Sequence, residues 1–128
     1  MTGSGYPAQY QEFFVRYEKG EYWEAHEVLE ELWQTERHNG FYHGLIQVAA
    51  IMHQAQRGKV GGMRKLAASA LRYLEPYRPQ HMGVNVDRVV AWLEDLLARL
   101  PRDVKRVPPE RLADYGVTKL PLSRLRSD

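Results

Sequence analysis

FYHGLIQVAAIMHQAQR, residues 41–57, decides the architecture of this chain. Between Leu45 and Met52 the run is apolar in nearly every direction around a helical wheel. A helix lying on a surface keeps a broad polar face, so this one belongs at the centre of a helical assembly. Asn39-Gly40 before it, and Gly58 with Gly61-Gly62 after it, are signals that break a regular element.

Outward from that centre, four more helices are expected. In AQYQEFFVRYEK, residues 8–19, the three- and four-residue spacings gather Phe13, Phe14 and Tyr17 on one side. Gly20 supplies a stop, because it enters the left-handed conformation without a side-chain clash. EYWEAHEVLEELWQTE, residues 21–36, is the second helix, and MRKLAASALRYLEPY, residues 63–77, the fourth, with Leu66, Ala70 and Leu74 as inner positions. Pro76 and Pro79 end or distort it. Asp87 is placed to cap DRVVAWLEDLLARL, residues 87–100, whose Val90, Leu93, Leu97 and Leu100 face inward. The short connections predict antiparallel neighbours in an all-α, compact bundle of about five helices spanning residues 1–100.

Residues 101–128 read as a proline-containing C-terminal arm of the same structural unit. Four of the seven prolines fall there, which disfavours a long helix. Leu112, Val117, Leu120, Leu122 and Leu125 are too apolar for a solvated tail, so the arm is expected to cover an apolar surface. Added after an apparently complete bundle, it is expected on a second subunit, making a homo-oligomer, in preference to the alternative of wrapping over the chain's own body.

Charge and composition exclude several classes. Residues 1–100 carry 11 Lys or Arg against 12 Asp or Glu, whereas residues 101–128 carry 7 against 4. The basic excess therefore sits in the arm, where Tyr115 is the sole aromatic, so nucleic-acid binding is not expected. No apolar run is long enough to span a membrane, and no cysteine is present to form a disulfide or thiolate site, which fits a cytoplasmic protein. A phosphate-binding glycine loop after a strand is also missing, and no nucleotide, flavin or haem signal appears. Ser4, Ser69, Ser123 and Ser127 have no neighbours that would make one a triad nucleophile.

The chemistry, if any, lies in HEVLEELW, residues 26–33. At about 100° per residue, Glu30 falls about 40° from His26, among Tyr22, Trp23, Leu29 and Trp33. Glu27, Glu31 and Glu24 turn toward the wet side, at about 100° or more. An unpaired carboxylate on a buried face is costly, so Glu30 needs a partner. A metal site, a proton-transfer pair and a hydrogen-bonded core pair all satisfy that need. His26-Glu27 opens like the zinc-protease signature, but Glu30 stands where the second His belongs, and Glu27 points away from the pair. On the central helix His43 and Gln47 lie one turn apart on one face, while His53 lies in another sector, about 120° from Gln47. Either histidine is open to complete the cluster. Trp23, Trp33 and Gly44 are read as pocket wall or packing residues.

GEYWEAHEVLEELW and GLIQVAAIMHQAQRGKVGG, followed by the leucine-rich fourth helix, resemble domain-of-unknown-function family 309 over roughly residues 10–100. That resemblance implies a small helical bundle and a metal-dependent hydrolase. By correspondence with its motifs, it implies His26, Glu30 and His53 as ligands for a divalent ion (Zn, Mn or Fe), with Glu27 as base if packing turns it inward. Gly44 and Gln47 match its second motif. Tyr17, Gly20, Tyr22 and Ala25 also resemble a tetratricopeptide turn, without a second copy near residues 51–59. A non-catalytic protein-interaction domain with a structural His/Glu/Gln network is the competing expectation.

Overall fold

A computed structural model describes residues 5–122, and the all-α expectation is met. Five α-helices follow one another: α1 (Ala8–Glu18), α2 (Tyr22–Gln34), α3 (Gly40–Gln56), α4 (Val60–Leu74) and α5 (Val86–Arg99). Each packs on its predecessor, the α3–α4 contact being the most extensive. Connections of a few residues join α1 through α4, which favours packing of each on the last. Helix α3 is central, as its composition requires: Phe41, Leu45, Val48, Ala49 and Ile51 are fully buried and lie in several directions around its axis.

The local signals explain most boundaries. Gly20 takes φ +80° and ends α1. Asn39 caps α3 by accepting a hydrogen bond from the Tyr42 amide at 3.0 Å. Two boundaries differ from expectation. Helix α5 is capped by Asn85, which accepts from the Arg88 amide, so Asp87 sits inside the first turn. Gly58, at φ +67°, makes the break after α3, whereas Gly61-Gly62 lie inside α4. A Cβ on Gly62 would meet the Gln54 side chain at 3.5 Å, an ordinary contact.

Between α4 and α5 the chain makes a 3-10 turn (Glu75–Tyr77) and a two-stranded hairpin, Gln80–His81 with Val84–Asn85, that the sequence patterns did not suggest. Met82 and Gly83 both take positive φ at its turn. The Tyr10 hydroxyl ties the hairpin to α1 by donating to the Met82 carbonyl at 2.8 Å.

The arm corrects the sequence reading more substantially. Leu112, Leu120 and Leu122 are buried within the chain's own body, rather than waiting for a second subunit. Two main-chain bonds fasten its start to the α3–α4 turn, Gly61 N–H to the Lys105 carbonyl and Val107 N–H to the Gly58 carbonyl. At its far end the buried Tyr17 hydroxyl donates to the Leu120 carbonyl at 2.9 Å. Leu125, also assigned to the arm, lies outside the described residues.

Because Leu120 is only 1% exposed, Leu120→Ala should lower unfolding free energy by about 2–5 kcal/mol. Thermal unfolding over a wide range of protein concentrations checks the arm's location. A fixed Tm deficit is expected for an intrachain contact, whereas a deficit that shrinks with dilution would assign Leu120 to an interface.

Candidate functional site

Helix α2 turns Ala25, Leu29 and Leu32 into the core, which leaves His26, Glu30 and Trp33 half-buried along its flank. That flank meets His43, Ile46, Gln47 and Ala50 of α3 and Leu66 of α4, and together they enclose a cavity of about 210 Å3. The His26–Glu30 spacing thus reaches α3 across a real space.

The polar groups around that space are conspicuously unpaired. His26 Nδ1, Trp33 Nε1 and Gln47 Oε1 are buried without a hydrogen-bond partner. Among the described residues the Glu30 side chain forms no hydrogen bond or ion pair either. The hydrogen-bonded core pair expected of a purely structural network is therefore not formed.

Aromatic rings hold the two imidazoles instead. His26 stacks on Trp23 with centroids 4.8 Å apart and planes at 8°. His43 stacks on Tyr73 at 4.4 Å and meets the edge of Trp33 at 4.6 Å. Burial pushes both imidazoles below their ordinary pKa, against the opposing pull of Glu30. Glu27 also opposes the shift at His26, and the nearby His53 reinforces it.

The remaining expected residues fall elsewhere. His53 does not line the cavity; its ring lies 5.2 Å from that of Trp23. His43 lines the cavity, while His53 stays near enough to His26 to act on its charge. Glu27 is exposed and outside the lining, as its angle on the helix required, so packing does not turn it inward as a base. Gly44 is buried in the α3–α4 contact, where a Cβ would stand 2.6 Å from Leu74. Trp23 is 46% exposed and forms the outer face of His26. Tyr73, the stacking partner of His43, was missed; its place one residue before the inner Leu74 was the available signal.

Two imidazoles and a carboxylate are suitable by kind for a divalent cation. Among the described residues, no three His, Cys, Asp or Glu side chains are grouped as a ready-made ligand shell. A shell from His26, Glu30 and His43 requires side-chain rotation, which no hydrogen bond to His26 Nδ1 or Glu30 resists.

Residues 10–66 match the family described as Domain of unknown function (DUF309). That segment is similar to DUF309. The match runs from α1 into α4 and includes every residue lining the cavity, although it stops short of the residue-100 limit expected from the sequence. The uncharacterized protein YpuF of Bacillus subtilis is 30% identical over 101 residues, covering 74% of this chain and 58% of that protein. An uncharacterized protein of Aquifex aeolicus is 30% identical over 81 residues, covering 61% of this chain and 24% of its own length. The chain therefore spans only part of each relative. No solved structure matches it. Among the described residues, no helix is long and apolar enough to cross a membrane.

The depressed imidazoles predict a direction for pH dependence. A histidine whose folded pKa lies below the ordinary 6.5 binds protons more readily in the unfolded chain. Stability contributed by His26 and His43 is thus fully present above about 6.5 and is lost as pH falls toward their folded values. Denaturant unfolding across this range should show a positive slope with pH that is flatter in His26→Gln/His43→Gln. An unchanged slope would remove both residues as its source.

Proposed function

We propose that this cavity is the site of a small metal-dependent hydrolase, with His26, Glu30 and His43 as donors to a divalent cation. The observation that carries this reading is the set of unpaired polar atoms on three residues around one cavity: His26 Nδ1, Trp33 Nε1 and Gln47 Oε1. Leaving such a buried group without a partner costs about 1–3 kcal/mol, which argues for a ligand that completes them.

Burial favours neutral imidazoles, the form that donates a lone pair to a metal. Glu30 supplies the negative charge that offsets the cation's own desolvation. Trp33 can donate from its indole N–H and Gln47 can accept through its amide oxygen, which suits orientation of a polar substrate. A bound divalent ion would supply a water that loses its proton more readily. The interaction-domain reading draws on the exposure of Trp23 and Tyr73, two large rings at the edge of the same region.

Calorimetric titration with Zn2+, Mn2+ and Fe2+, together with metal analysis of chelator-free preparations, separates the readings. Stoichiometric binding is expected in the parent and in His53→Ala, with a loss of about tenfold or more in His43→Ala and Glu30→Gln. No binding of any of these ions by the parent would overturn the metal-dependent reading. A His53→Ala effect as large as that of His43→Ala would return His53 to the ligand set.

A further inference from the structure

A second and larger cavity, of about 580 Å3, lies beside the turn between α3 and α4. Its side-chain lining is cationic throughout: Lys59, Arg64 and Lys65 from the turn and α4, and Lys105 and Arg106 from the arm. Gly61 and Gly62 complete it and contribute no side chain to fill the space. No carboxylate lines it, and Asp103, the nearest acidic residue along the arm, is exposed and outside the lining.

None of the five cations forms an ion pair among the described residues. Arg64 donates instead to the Pro101 carbonyl, an interaction that positions its guanidinium. The two cationic segments are brought together by the backbone. Gly61 N–H donates to the Lys105 carbonyl at 3.1 Å, and Val107 N–H donates to the Gly58 carbonyl at 2.9 Å. Gly58 leaves no latitude in this junction, since a Cβ there would fall 1.8 Å from the Val107 carbonyl oxygen.

Like charges repel, so bringing these two cationic segments together favours a counter-charge that joins them. A concave site lined by one sign also concentrates its field on a small anion more than a flat surface does. Its volume suits a small molecule. No aromatic side chain lines it to stack on a base, which argues against a nucleic-acid strand. In the first turn of α4 the Val60 and Gly61 amides already donate to the Gly58 and Lys105 carbonyls, so the positive potential comes from the side chains.

We propose that this cavity binds a small molecule through two or more linked phosphate groups. Five cations match such a polyanion better than a single phosphate, and Arg64 provides planar donors suited to phosphate oxygens. The phosphates dominate recognition, because the lining offers no group to read an attached base or sugar.

The test is calorimetric titration of the full chain with inorganic pyrophosphate in EDTA, so that any metal-linked binding at the His26 cavity is suppressed. Single-site saturable binding is expected, weakening as salt is raised. Lys105→Gln/Arg106→Gln, both exposed, should keep the parent Tm while weakening pyrophosphate binding about tenfold or more. His26→Ala should bind as the parent does, whether or not the metal reading survives. ATP should bind about as tightly as pyrophosphate, and adenosine should not bind. Absence of saturable pyrophosphate binding, or equal affinity in the parent and the folded arm variant, would overturn the proposal. So would binding of a single-stranded RNA that pyrophosphate fails to displace.

Discussion

Gly44 has no side chain, and Leu74 fills the space where one would stand. Both a Leu74 methyl and its branching carbon lie 2.6 Å from the position a Cβ would take. Glycine inside a helix is less favourable than alanine by about 1 kcal/mol, so its presence in the middle of α3 needs a packing reason. The reason is the approach of α4 to α3, the most extensive helix contact in the structure. With that approach set, Tyr73 stands against His43, and Leu66 closes the cavity opposite α2. The missing methyl group is what lets Leu74 pack directly on α3 at this point.

The helical wheel made much of this fold legible. It found the central helix from its continuous apolarity, and it separated Glu30 from Glu27 by direction alone. It also grouped His43 with Gln47, and both line the cavity. Preference for His53 came from motif correspondence, which knows positions along a chain but not distances across helices. The hairpin escaped notice because Met82-Gly83 lacks the Asn or Asp that usually announces such a turn. The arm was legible as apolar and irregular, but composition says nothing about which surface receives it. Gly61-Gly62 misled for a related reason: a glycine pair marks a break in some contexts and sits inside a helix in others, as it does in α4.

Aromatic stacking gives the two imidazoles an unusual footing. Trp23 and Tyr73 offer ring faces that attract a cation, while burial disfavours the charged form. Burial is the largest cause of the downward shift at both imidazoles, with Glu30 opposing it. The rings contact the imidazoles without consuming a nitrogen lone pair, as a hydrogen-bond partner would. Shape is therefore supplied by apolar contact, and the polar atoms stay available.

The bond from the Tyr17 hydroxyl to the Leu120 carbonyl joins residues 103 positions apart. Tyr17 is fully buried, and Leu120 is nearly so. A chain made from its N-terminus at about 5–20 residues per second leaves this hydroxyl without its final acceptor for on the order of ten seconds. Throughout that interval, α1 and α2 exist without the segment that later covers them. Completion of the body is timed by the arrival of its most irregular segment.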